Sequence, residues 1–172
     1  LLYQGYVKNV NNLVQERGAL LREGKAGTPA YAELTRRFGW EFNGMRLHEL
    51  YFGNMAKAST ALASDAPLLQ NLTRVYGAYE SWEKDFKAVG AMRGIGWTIL
   101  YYDSGSKEFF NVWVNEHDVG HLAGATPLLV LDVFEHAYTL DYGLKKGDYI
   151  EAFFRAIDWA TVEQRFADTP QR

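Results

Sequence analysis

TPLLVLDVFEHAY, residues 126–138, is uncharged through Leu131 and then sets Asp132, Glu135 and His136 within five positions. The segment PLLVLDV is too short and too apolar for a half-exposed strand, so it is expected to be a central strand covered on both faces. A helix over VFEHAYTL is expected to follow. Ending a buried strand on a carboxylate costs several kcal/mol of desolvation unless a cation, a metal or several donors meet it. Across a strand-to-helix turn, the D-x-x-x-H spacing of Asp132 and His136 lets carboxylate and imidazole converge on one point, as a metal requires. An Asp that simply accepts from the neighbouring imidazole has the same spacing.

Upstream, GWTILYYD (96–103) and EFFNVWVNEH (108–117) are rich in aromatic and branched residues and flank Ser104-Gly105-Ser106. They read as a β-hairpin. Before Gly90 the pattern is helical. Leu2, Tyr3, Tyr6, Val10, Leu13 and Val14 recur at spacings of three and four, predicting a helix that ends near Glu23. Thr28 and Pro29 suit the start of a second helix, whose apolar stripe is Tyr31, Leu34, Phe38, Phe42, Met45, His48 and Phe52. His48 therefore faces inward. Asp65 and Pro67 open a third helix expected to run to about Val89, and two helices, capped by Asp148 or Thr161, close the chain. The outline is an α+β fold with residues 1–89 as a helical N-terminal domain and 90–172 as an α/β domain carrying a three-stranded antiparallel sheet.

Totals narrow the function. A formal charge of −3 without a run of basic residues gives no general field for nucleic acid or an anionic membrane. No apolar stretch approaches a membrane span, and no basic-then-apolar leader opens the chain. The absence of cysteine removes thiol chemistry and Cys-based zinc sites and suits a reducing cytosol, so a cytoplasmic protein is expected. Any anionic substrate must be steered by a local cationic patch.

Four histidines exist: His48, His117, His121 and His136. An inward histidine on an apolar helix is ordinarily a core residue with satisfied hydrogen bonds. Joined to Asp132 and His136, however, His48 completes two imidazoles and one carboxylate, a set that suits Fe, Mn or Zn. NEHDVGH reads as a polar loop, with His121 expected to be exposed.

At these residues the chain resembles the iron/manganese superoxide dismutase family. DVFEHAY is similar to that family's D-V-W-E-H-A-Y signature, with Phe134 where Trp is usual. TPLLVLD before it, DYGLKKGDYIEAFFRAIDW after it, and GWTILYYD, LHELYF and YVKNVNNL follow the family in order, covering nearly the whole chain. The resemblance implies a helical N-terminal domain, a helical hairpin, packed on an α/β domain with a three-stranded antiparallel sheet. It also implies one Fe or Mn per subunit held by three His and one Asp, of which His48, Asp132 and His136 match three. The remaining ligand would lie upstream of Leu1, and the non-Met start makes loss of an N-terminal segment the expected reason.

The resemblance further places His117 where many members carry the residue that hydrogen-bonds the metal-bound solvent, with Gly44 leaving room for it. Tyr6 matches the gateway tyrosine of the substrate channel, and Lys145 and Lys146 match a basic part of the funnel. Glu135 matches the residue that pairs with the ligand histidine, here His136, of the other subunit in a homodimer or homotetramer. Thr139, Leu2, Ile95 and Phe134 depart from the usual Tyr, His, Trp and Trp. The implied reaction is conversion of superoxide to dioxygen and hydrogen peroxide. Two other readings fit the same residues: a dismutase-fold structural or interaction protein without activity, and a non-haem iron enzyme using two His and one carboxylate.

Overall fold

The computed structural model describes residues 2–57, 59 and 61–170. Among them it has seven α-helices and one three-stranded antiparallel sheet, the α+β class expected. By compactness the chain divides into residues 1–49 and 50–172.

In the first unit, α1 (Leu2–Arg22) and the greater part of α2 (Pro29–Gly53) form an antiparallel pair. Cross-links fall at shrinking sequence separations. Tyr3 donates to Glu49 (2.9 Å), Asn9 donates to Glu41 (3.1 Å), and the Arg17 guanidinium lies 5.6 Å from the Tyr31 ring centre. Thr28 caps α2 as expected, its hydroxyl accepting from Tyr31 N. The predicted stripe on α2 holds only in part. Phe42 and Phe52 are exposed, and the buried positions along its second half are Glu41, Gly44, Leu47, His48 and Tyr51. Glu41 can be buried because Arg37 and Asn9 both meet its carboxylate.

In the second unit, β1 (Gly96–Asp103) and β2 (Glu108–Asn115) form the expected hairpin. Gly96 is irreplaceable there. At φ +144°, a Cβ would sit 2.0 Å from the Val114 carbonyl oxygen. The strand β3 (Thr126–Asp132) pairs with β1 on its other side, giving the order β2-β1-β3. The expectation of a central β3 is corrected: it is an edge strand, buried from Leu128 to Val133 all the same.

Side chains seal that edge. Asn54, fully buried, accepts from Val130 N (2.9 Å) and donates to Val130 O (3.2 Å), so its amide imitates a fourth strand for one residue. Arg165 adds a bond to Leu128 O at 2.8 Å and one to Leu50 O at 2.9 Å. Each buried backbone group left unpaired here would cost about 1–3 kcal/mol. An apolar run reports burial but not sheet order, which is why the sequence suggested a central strand.

The single helix expected to reach Val89 is two, α3 (Pro67–Tyr76) and α4 (Tyr79–Ala91). Gly77, left-handed at φ +82°, ends α3. Asp65 does not cap α3, since Ala66 holds the cap position without a side-chain bond. α4 packs on β1 and β2, placing Trp82 and Phe86 in the core. The predicted helix over VFEHAYTL is also corrected. It is a 3-10 turn over Glu135–Ala137 followed by the one-turn α5 (Thr139–Tyr142). The Asp132 carboxylate accepts from Phe134 N (2.9 Å), an Asx turn that competes with helix initiation. The chain closes with α6 (Lys146–Phe154), packed against α4, and α7 (Trp159–Ala167), packed against β3. Asp158, rather than Thr161, caps α7.

Candidate metal centre

The site begins at the end of β3. Asp132 is 1% exposed, and every oxygen it offers is engaged. Oδ1 accepts from Phe134 N, Oδ2 lies 3.0 Å from His136 Nε2, and the main-chain oxygen accepts from the Tyr149 hydroxyl at 2.7 Å. Behind Tyr149 stands Tyr51, with the hydroxyls 3.0 Å apart. Burial pushes the Tyr51 hydroxyl up to about 12 and raises Tyr149 as well, so both stay protonated. The pair fixes the ligand-bearing end of the strand from behind.

His136 follows in the 3-10 turn, its imidazole stacked on Phe134 with ring centres 5.2 Å apart. Phe134 thus supplies a flat apolar wall where Trp was expected. Ile95, at the other expected Trp position, is 41% exposed.

On α2, buried His48 donates from Nδ1 to the Gly44 carbonyl at 2.6 Å. That bond assigns the proton to Nδ1 and the lone pair to Nε2. The Tyr6 ring lies 5.3 Å from the His48 ring and covers Gly44 so closely that a Cβ there would meet it at 2.7 Å. The Tyr6 ring therefore fills the space beside Gly44.

His48, Asp132 and His136 make a group that could hold a metal ion, each offering one ligand atom. The donor set fits a first-row transition metal: two neutral imidazole nitrogens and one carboxylate, with His48 already held in the ligating tautomer. A cation would also answer the desolvation cost of Asp132.

His117 is fully buried and accepts the Trp97 indole N–H at Nδ1, 3.0 Å away. Because an indole only donates, His117 carries its proton on Nε2 and can donate from that atom. Its ring lies tilted against Phe134, with centres 4.9 Å apart. His121 corrects the expectation of an exposed loop residue: it is half-buried with both ring nitrogens in hydrogen bonds.

At the surface, Glu135 is exposed and Thr139 donates to its carbonyl oxygen. Leu2 is 52% exposed. Lys146 is half-buried and donates to Met92 O at 2.9 Å, burial lowering its pKa, whereas Lys145 is exposed. Of the expected cationic pair, Lys145 is the exposed one.

Residues 64–165 match the family model of iron/manganese superoxide dismutases, C-terminal domain. Superoxide dismutase (Mn) 2 of Haloferax volcanii is 39% identical over 165 residues, spanning 95% of this chain and 80% of that protein. Superoxide dismutase (Mn) 1 of Halobacterium salinarum is 35% identical over 99% of this chain and 83% of its own length. Superoxide dismutase (Fe) of Sulfolobus acidocaldarius is 31% identical over 95% of this chain and 79% of its own length.

Proposed function

The chain belongs to the iron/manganese superoxide dismutase family, and from that premise we propose that it converts superoxide to dioxygen and hydrogen peroxide (2 O₂⁻ + 2 H⁺ → O₂ + H₂O₂) at one Fe or Mn per subunit. The observation that carries the reading is the group of His48, Asp132 and His136, each offering one ligand atom to a metal. These three residues would hold the metal. When bound, it supplies a one-electron acceptor that becomes a one-electron donor. Both Mn and Fe appear among the relatives, and the donor set suits either.

The protein's own groups do the rest. Asp132 supplies the negative charge, and its attachment to Phe134 N and Tyr149 limits how far it can move. His117 donates from Nε2 and, held by Trp97, can present only that atom as a donor. Tyr6 carries a hydroxyl proton beside His48 and serves the delivery of protons that peroxide formation requires. Phe134 and Trp97 exclude water from the His117 side. Lys145 offers the local positive charge that draws an anion to an acidic protein.

Loaded with Fe or Mn, the chain is expected to accelerate superoxide decay after a radiolytic pulse, and chelation should remove the effect. Decay at the uncatalysed rate with metal bound would overturn the reading.

A second copy completes the surroundings of the metal. The exposed Glu135 carboxylate pairs with His136 of that copy, whose side chain is 35% exposed in the single chain. Leu140 and Leu144, 95% and 98% exposed, lie on the same segment and suit burial against protein. Glu135→Ala is expected to weaken self-association by about tenfold or more. Sedimentation that is unchanged from wild type would contradict the pairing.

No helix among the described residues is long and apolar enough to cross a membrane. A cytoplasmic place of action belongs to the same reading, on the strength of the cysteine-free composition. Recovery of the protein outside the cytosolic fraction of its own cells would contradict that placement.

A further inference from the structure

The loop joining β2 to β3 is built around a main-chain contortion at His117. Asn115 and Val119 exchange backbone hydrogen bonds of 2.8 and 3.3 Å, closing the chain on itself with His117 at the tip. Glu116 is left-handed at φ +50° and Gly120 at φ +108°, conformations that need support from elsewhere when the residue is not glycine. His121 provides that support. Its Nε2 donates to the His117 carbonyl at 2.8 Å and its Nδ1 accepts from the Tyr101 hydroxyl at 2.7 Å. The two bonds use the ring's two faces of chemistry, one donor and one acceptor, and so define one tautomer.

Tyr101 is itself well anchored. It is 3% exposed on the central strand β1, and the β1–β3 register shifts between Leu100 and Tyr101, bringing Tyr101 opposite Pro127. A proline has no N–H to give the ladder, which is consistent with an irregularity at that point. Burial pushes the Tyr101 hydroxyl up to about 12, keeping its proton available for His121. The rigid sheet thus reaches the backbone of His117 through two side chains.

We propose that His121 is a positioning residue for His117: with Tyr101 it clamps the His117 carbonyl to the sheet and so sets the direction in which the His117 imidazole donates. Its two hydrogen bonds go to Tyr101 and to the His117 main chain. The proposal rests on the role assigned to His117 above, but its primary test needs no metal and no turnover.

In the full chain without metal, labelled with ¹⁵N-tryptophan, the Trp97 indole N–H reports the His117 contact through its hydrogen exchange. The Trp82 indole N–H, bonded to Asn111 at 3.0 Å, reports general stability in the same spectrum. His121→Phe is expected to speed Trp97 exchange by about tenfold while Trp82 changes by less than about twofold. Tyr101→Phe, which removes only the hydroxyl, should shift Trp97 in the same direction by less. His121→Gln keeps one donor and one acceptor and should restore wild-type exchange. In the metal-loaded chain, His121→Phe should lower kcat about tenfold with KM little changed.

Trp97 exchange unchanged in both His121→Phe and Tyr101→Phe would overturn the proposal. So would acceleration of Trp97 and Trp82 by the same factor, since that is loss of stability rather than of position. If Trp97 responds as expected but the loaded His121→Phe chain keeps full kcat, the clamp has no catalytic consequence and the positioning role is likewise rejected. Failure of the dismutase reading shows separately, as absence of superoxide decay in the wild-type chain.

Discussion

Asp132→Asn should leave the chain folded and unable to retain its metal. The substitution keeps the size of the side chain and an oxygen that can accept from Phe134 N, so the Asx turn at the end of β3 survives. The Tyr149 bond goes to the main chain and is untouched. What disappears is the negative charge 3.0 Å from His136 Nε2. Loss of an outer hydrogen-bond partner of a metal ligand costs about 10–100-fold in affinity or activity. Removing an anionic ligand from a buried site should cost more than the upper end of that range. Metal content after dialysis against a chelator, with circular dichroism as the control for folding, makes the comparison. An Asn variant that holds metal as wild type does would mean that Asp132 is not a ligand.

His117→Ala separates turnover from metal binding. The truncation is expected to leave metal content intact while lowering the rate of superoxide decay by about 10–100-fold. It also removes a fully buried ring and strands the Trp97 indole N–H. The unpaired donor alone costs about 1–3 kcal/mol, and the cavity beside Phe134 adds to it. A stability loss of about 2–4 kcal/mol by urea unfolding should therefore accompany the kinetic one. Activity within about twofold of wild type would show that His117 packs the site without serving it.

Much of this was legible in TPLLVLDVFEHAY. A buried run that ends in Asp and reaches His four residues later poses a desolvation problem that few arrangements solve, and a shared metal is one of them. The inward direction of His48 followed from helical periodicity on α2, even though Phe42 and Phe52 in the same stripe are exposed. Periodicity gives the phase of a helix and not the extent of what covers it. Gly77 in VYGAY ends α3, but the apolar pattern continues beyond it and reads as one helix.

Other features have no local signal. Nothing near PLLVLDV says that its outer edge is met by Asn54 and Arg165, which come from positions 76 residues before Val130 and 37 after Leu128. His121 lies among glycine, aspartate and alanine, the composition of an exposed loop, and its burial depends on Tyr101, 20 residues earlier on β1. At Gly44 the resemblance points to a neighbour from elsewhere in the chain without a local signal for Tyr6. The side chain that approaches it, Tyr6, belongs to a helix whose docking no spacing on α2 encodes.

The central claim is that His48, Asp132 and His136 hold one Fe or Mn. Anomalous diffraction from crystals of the metal-loaded chain, collected on either side of the Fe or Mn absorption edge, tests it most directly. One anomalous peak per chain is expected at bonding distance from His48 Nε2, an Asp132 carboxylate oxygen and His136 Nε2. A peak that lies elsewhere on the protein, or none in a crystal whose solution retained metal, would contradict it.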